Sequence, residues 1–444
     1  MMLDMKMIIV KKKVKNAEQR DLHMPENFSV SESVKKITVL AAAFSGNKGA
    51  ASMLESIIEN ISVRVPGISF DVLSVYPEDD KVQNPYKHVN IVACKPEQII
   101  FAAFPLSLLH IALSRIKPIE KLLLKNPILA SLSGCDLVVD AAGISFVDSR
   151  GIIMNLYNFI CIFIPVALRK EVIKFSQAMG PFRKLSNRLL AGAILPRVKT
   201  ICARGLITES HLKGLQLGNT ILSTDGAFVL PDDRDTVQKM ALVFSSDPFY
   251  KEKIAGVSIS SVVYGYCIKE GIDYVAIMSR MIDHLAAAKG YNILIIAHSA
   301  RENKESLKNN DLVICRKVYN SVECKEKCRY PDMEMSPREI REYIGRCDML
   351  IASRFHAMIS ALYKNVPVFL IGWGHKYKEV LDMFGHGGYA VDYRSLNLDL
   401  LKNKFELFEK DINSLRWKIS ENIEEVKKSA MKNIDVIVDS LNSR

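Results

Sequence analysis

The chain has 444 residues, of which 49% are hydrophobic and 25% charged, the proportions of a soluble globular protein long enough for two domains. A formal charge of +11 points to anionic partners, whether phosphorylated substrates, an anionic membrane surface or nucleic acid. Nine scattered cysteines with a single C-x3-C pair, Cys324 and Cys328, argue against a zinc centre or a disulfide framework. With no signal-peptide pattern, they point to a reducing cytoplasm.

Residues 1–35 carry Lys and Met without periodicity and are expected as a flexible extension. ITVLAAAF, from Ile37, reads as a buried strand, and SGNKGAASMLESIIENI as a glycine-containing turn and an amphipathic helix. Asn47, Gly49 and Ser52 therefore fall where strand meets helix, a candidate ligand corner, although a tight turn explains the same residues. Further short strands follow at Phe70–Val75 and Val89–Ala93. Two apolar segments, Ile99–Leu113 (interrupted by Pro105) and Gly151–Leu168 (with Asn155, Asn158 and Pro165), fall short of the roughly 20 residues of a membrane span. Both are expected as buried helices, the first with the alternative of lying on a membrane surface.

Cys135–Asp140 is a strand running into Ala141, Ala142 and Gly143, small residues that let a ligand or backbone approach. Ser145 and Asp148 either hydrogen-bond sugar hydroxyls or cap the next helix. After Val172–Phe175 and the turn at Gly180-Pro181, Thr200–Ala203 forms a strand with Arg204 at its end. Asp225, in STDGAFVLP, is expected to order a turn, and residues 231–238 read as a linker. The first α/β domain thus spans 36–232 and a second spans 250–395.

The second domain opens with GVSIS at Gly256, followed by an amphipathic helix over Tyr274–Lys289, the strand NILIIA and His298. Ser336-Pro337-Arg338-Glu339 has capping-box spacing with proline at the first helical position. It leads to IGRCDMLIASRFHAMISALYKNVPVFLIGWG, a βαβ unit with Ser353, Arg354, Phe355 and His356 at the strand-to-helix corner. Helix N–H groups, a guanidinium and an imidazole there favour an anion. The plainer alternative pairs Arg354 with a neighbouring carboxylate and makes His356 a helix cap. Residues 396–444 read as charged amphipathic helix packed back on the domains. No nucleic-acid module or short repeat is visible, which removes nucleic acid from the candidate partners.

SRFHAMISALYKNVPVFLI closely resembles the C-terminal motif of the polysaccharide pyruvyl transferase family, which moves the enolpyruvyl unit of phosphoenolpyruvate onto a sugar as a pyruvate ketal. The resemblance extends over about residues 37–395. It takes in Asn47-x-Gly49, the segment at 141–148, CARGLITES with Arg204, and STDGAFVLP. The chain departs from the family at Ala50, where an acidic residue is common, and at Ala141-Ala142, where glycines are common. Two α/β domains with ligand corners facing a cleft resemble the GT-B architecture, two Rossmann-like domains, here with a C-terminal helical segment.

The resemblance implies an enzyme of cell-surface glycan or exopolysaccharide synthesis, with phosphoenolpyruvate as co-substrate and neither cofactor nor metal. Arg354 and Arg204 would clamp the donor, with Ser353 and Phe355 beside it. His356 would bind phosphate or act as general acid, since an imidazole titrating near about 6.5 suits proton transfer at neutrality. His298 is a second candidate, and Lys376 or Lys378 could reach the donor. Asn47, Gly49, Gly143 and Ser145 would face the acceptor, for which a polymer repeat, a lipid-linked precursor and a nucleotide sugar all remain open. Peripheral contact with the inner face of the cell membrane and homo-oligomerisation are likewise open. The rival readings are a GT-B glycosyltransferase using a nucleotide sugar and a non-catalytic relative that binds an anionic sugar ligand.

Overall fold

The computed structural model describes residues 34–302, 309–372 and 375–443, without the side chains of His375 and Lys376. Most of the expected N-terminal extension and the Lys376 side chain therefore lie outside the described residues. Runs of branched aliphatic residues, buried on both faces, make two parallel sheets. In the first, β1 (Lys36–Leu40) is followed after the short β2 (Gly46–Asn47) by β3 (Ser69–Ser74), β4 (Val89–Ala93), β5 (Leu137–Asp140), β6 (Val172–Gln177), β7 (Thr200–Arg204) and β8 (Thr220–Ser223). Its order is β4-β3-β1-β5-β6-β7-β8, with Ile37 beside Phe70 on one flank and Leu137 on the other.

The second sheet comprises β9 (Ile254–Ile259), β10 (Asn292–Ala297), β12 (Cys328–Arg329), β13 (Met349–Ala352), β14 (Val368–Gly372) and β15 (Ala390–Asp392), in the order β12-β10-β9-β13-β14-β15. In both sheets the strand order reverses about the first strand, so the crevice for a ligand opens at the carboxyl ends of β1 and β9. These two crevices face each other. β2 pairs antiparallel with β11 (Ser299–Ala300), Asn47 opposite Ser299, joining the domains at that point. One apolar cluster also runs through the junction, from Phe44 and Ile57 to Tyr343, Phe355 and Met358.

Charged contacts fasten the same junction. Lys48, only 2% exposed, pairs with Glu334 at 2.7 Å. From α2 (Pro337–Gly345), Arg338 reaches Glu55 and Glu59 on α1 (Lys48–Arg64), both at 2.6 Å. The Ser336–Glu339 capping box and Pro337 start α2 as their spacing predicts. The C-terminal segment is one helix, Leu398–Asn442, that touches both domains: Arg416 donates to the Asp348 carbonyl at 2.7 Å, and Asn433 accepts from the Ser223 hydroxyl at 3.0 Å.

Two expectations are corrected. Residues 231–238, expected as a linker, enter a helix, Arg234–Ser246, capped by Asp233. The apolar segments are not buried helices: only 17% of Pro96–Leu113 and 28% of Asp148–Ala167 is buried, although both are long and apolar enough to cross a membrane. Each helix covers the sheet and its neighbour with one stripe, as where Phe104 meets Phe163 at 5.5 Å. The opposite face is open, with Phe101 79% and Ile153 82% exposed. Apolar content all round a helix predicts burial, but here no further layer covers it.

Candidate functional site

The corner Ser353–His356 stands where β13 passes into α3 (Phe355–Tyr363), directly across from the β2–α1 turn of the first domain. Arg354 occupies the N-cap of α3, and no side chain caps the first turn, so its N–H groups and dipole face the crevice. The Arg354 guanidinium is held in a buried bidentate pair. Nε donates to Asp311 Oδ2 at 2.9 Å and Nη2 to Oδ1 at 2.5 Å, with Ser261 Oγ at 3.1 Å from Nη2. Burial opposes its charge, but Asp311 raises its pKa above the usual arginine value. Among the described residues Nη1 has no hydrogen-bond partner, leaving that edge for a ligand.

His356 meets three groups of different origin. Its Nε2 lies 3.6 Å from Asp225 Oδ2 and has no hydrogen-bond partner, although buried. Its ring is stacked near-parallel on His298, centroids 6.4 Å apart. On the other side it abuts Gly49, where a Cβ would fall 2.0 Å from Nδ1. Glycine is thus required at 49 by a side chain of the opposite domain, with no positive φ involved.

Asp225 caps the 3₁₀ turn over Gly226–Val229, accepting from Ala227 N at 2.9 Å. That is the turn-ordering role its sequence context suggests. Its second oxygen accepts from Arg204 Nη1 at 2.8 Å. Burial by itself would raise this carboxyl, but the charges of His356 and Arg204 with the Ala227 N–H hold it well below the usual carboxylate range. The Arg204 guanidinium also lies over the Phe355 ring, 4.8 Å from its centroid, a cation–π contact across the junction. Next to it Gly205, at φ +91, leaves room for Glu379 from α4 (His375–Met383). Glu379 Oε1 accepts from Ile207 N at 2.7 Å, and burial pushes its carboxyl up.

His298 is 3% exposed. Burial, then the charges of His356 and Arg354, push its pKa well below the ordinary imidazole value, so it stands neutral. Tyr377, buried against Phe355 with ring centroids 5.4 Å apart, completes the wall.

The structure therefore brings together Arg204, Phe355, Arg354, His356, His298 and Gly49, with Asn47 capping α1 through Gly49 N at 3.1 Å. Gly143 lies beside Arg204, its Cβ position 3.7 Å from Nη1. Ser145 and Ser353 do not open into the crevice. The Ser145 hydroxyl donates to Gln177 at 2.6 Å and is 1% exposed, and Ser353 Oγ accepts from Tyr274 at 3.1 Å in full burial. Asp148 likewise is spent on Arg183 N at 2.8 Å and Asn187 at 2.8 Å. Sequence reasoning missed Asp311 as partner of Arg354, Asp225 as the shared anchor, and Glu379. An acidic residue opening a helix was the available signal for Asp311. Among the described residues no group of three or more His, Cys, Asp or Glu is placed to hold a metal.

Comparison with known proteins agrees with this architecture. The amylovoran biosynthesis protein AmsJ of Erwinia amylovora is 20% identical over 378 residues, 81% of this chain and 89% of that protein. Among solved structures, a UDP-GlcNAc 2-epimerase from Neisseria meningitidis bound to UDP-GlcNAc superimposes with a TM-score of 0.58 at 11% identity, covering 93% of this chain and 100% of the other. A UDP-N-acetylglucosamine 2-epimerase assigned in Listeria monocytogenes gives 0.59 at 9% identity, covering 93% and 98%. These likenesses establish the GT-B-like fold. A family-level sequence profile described as Polysaccharide pyruvyl transferase matches residues 47–375, and the chain belongs to that family.

Proposed function

We propose that the chain transfers the enolpyruvyl unit of phosphoenolpyruvate onto two hydroxyls of one sugar in a cell-surface polysaccharide or its precursor, forming a pyruvate ketal inside the cell. The reading is carried by one observation: arginines from both domains and an imidazole converge at an uncapped helix N-terminus. The donor's methylene carbon takes a proton, which leaves C2 as an oxocarbenium-like electrophile. One sugar hydroxyl adds to C2, inorganic phosphate departs with the electron pair of the C–O bond, and a second hydroxyl closes the ketal. Of the two protons released by the hydroxyls, one replaces the proton given to the methylene and the other leaves with phosphate.

Arg354, through Nη1, and Arg204 hold the donor's carboxylate and phosphate with the first-turn N–H groups of α3. Each arginine already faces a buried carboxylate, so the first-turn N–H groups of α3 carry part of the donor's charge. His356, with Nε2 unpartnered at the corner, is placed to give the methylene carbon the proton it needs. His298, kept neutral by burial, orients that ring and does not compete for the role.

The test is a thermal-shift titration with phosphoenolpyruvate, phosphate, pyruvate and nucleotide sugars, followed by phosphate release in the presence of glycan precursors. Stabilisation specific to phosphoenolpyruvate, lost in Arg354→Lys, supports the assignment. Stabilisation by a nucleotide sugar with none by phosphoenolpyruvate replaces it with glycosyl transfer.

A further inference from the structure

A cavity of about 630 Å³ lies between the carboxyl ends of β1, β3 and β4 and the two apolar helices. Its mouth is polar and opens at the crevice, beside Asn47, Ser299, Asn310 and Arg301. Its depth is aliphatic, walled by Leu73, Ile99, Ile128, Leu132 and Ile164. The Arg301 guanidinium stacks on Tyr76, 3.5 Å from the ring centroid, and no carboxylate among the described residues pairs with it. Such a site takes an amphiphile with an anionic head and a single apolar chain. A free polysaccharide offers nothing to fill the aliphatic part.

The two helices that wall the cavity also carry the uncovered apolar face. Ile99 points inward while Phe101 is exposed, and Ile164 lines the depth while Ile153 and Leu156 face out. The neighbouring helix Leu185–Ile194 extends this face with Leu185 and Leu189. Exposed cations lie close to these segments in the chain, Arg115, Lys121 and Lys125 after the first helix and Arg183, Lys184 and Arg188 at the start of Leu185–Ile194. Apolar helices accompanied by such cations complement an anionic lipid surface.

We propose that the cavity seats the isoprenoid chain of a phosphate-bearing carrier lipid, whose sugar is the acceptor, taken up from an anionic membrane on which these helices lie. The inference rests on the pyruvyl-transfer reading only for what the sugar receives. The phosphate end stays at Arg301, the chain runs under the helices, and the sugar reaches the crevice where Arg204, Arg354 and His356 hold the donor.

The experiment uses the full chain, with farnesyl phosphate below its micellar concentration as probe and farnesol, inorganic phosphate and lysophosphatidic acid in parallel. The expected result is a saturable rise in Tm with farnesyl phosphate that neither farnesol nor phosphate reproduces. Arg301→Glu should weaken it about tenfold or more, the scale of a lost charge-assisted contact. An equal response to lysophosphatidic acid assigns the cavity to acyl chains and overturns the carrier-lipid proposal, as does no response in the native chain. In a second arm, phosphatidylglycerol vesicles should sediment the native chain but not the Phe101→Asp/Ile153→Asp pair, which alters only exposed positions. If the pair instead converts a dimer to a monomer without affecting vesicle binding, the face joins two copies and the membrane part falls. Phosphoenolpyruvate is titrated in every sample. A chain stabilised by it but not by farnesyl phosphate loses only this proposal, and the reverse outcome loses only the pyruvyl-transfer reading.

Discussion

The Asp225 carboxylate, fully buried in the first domain, lies 3.6 Å from Nε2 of His356 in the second. The same oxygen takes a hydrogen bond from Arg204 at 2.8 Å. One charge therefore positions a donor-binding arginine and the proposed acid, and it does so across the domain junction. Asp225→Asn keeps the size of the side chain and removes the charge. Breaking a buried pair on one side costs about 3–5 kcal/mol, so the variant should lose Tm and lose turnover together. The lowered carboxyl also sets a pH window. The unfolded chain binds a proton near about pH 3.9, the folded carboxyl only well below that, so its stabilisation is complete above pH 4 and is lost as pH falls further. Acid titration followed by circular dichroism should show this loss in the native chain and a shallower one in Asp225→Asn.

Gly49→Ala separates local from tertiary effects. Within a helix, glycine to alanine is favourable by up to about 1 kcal/mol. Here the new methyl group would meet the His356 ring, its Cβ 2.0 Å from Nδ1. The variant should therefore lose activity sharply, by about a hundredfold if the ring is displaced by an ångström. In a His356→Ala background the same change should raise Tm. A Gly49→Ala chain with full activity would disprove the close contact.

His298 has the same pH sign as Asp225 but acts in a higher window. The unfolded histidine takes up a proton below about pH 6.5, while the buried one resists until much lower pH. The unfolded state then binds more protons, so stability falls as pH drops from 6.5, by up to about 1.4 kcal/mol per pH unit. Replacing His298 with Gln should flatten Tm between pH 6.5 and 5, measured by calorimetry at matched ionic strength.

His356→Gln should separate donor binding from chemistry. Calorimetric titration should show phosphoenolpyruvate still bound, while phosphate release with the acceptor falls by about 10²–10⁴-fold, the scale of a lost general acid. Turnover that survives in the variant would move the proton donor to another group.

Arg338 should be among the costliest surface-distant positions. It is 4% exposed and holds Glu55 and Glu59 from the opposite domain, so Arg338→Met leaves two carboxylates facing each other without a counter-charge. A loss of about 3–5 kcal/mol is expected, read as a fall in denaturation midpoint. Glu55→Gln/Glu59→Gln in the same chain should recover part of it.

Local patterns in the chain carry the βαβ units, the capping box at Ser336–Glu339 and the strand-end corners of Arg204 and Arg354, because strand burial, helix starts and turn chemistry depend on neighbours in sequence. The chemistry-bearing residue types at those corners could be singled out for the same reason. Their partners could not. Asp311 reaches Arg354 because the segments after β10 and β13 meet at one edge of the second sheet, while Asp225 reaches His356 and Gly49 yields to a ring of the other domain only because two sheets are docked at their switch points, and no spacing along the chain encodes those distances. The exposed faces of Phe104–Leu113 and Gly151–Ala167 belong with these. Sequence sets how apolar a helix is, but the layers packed around it decide which of its sides meets water, protein or lipid.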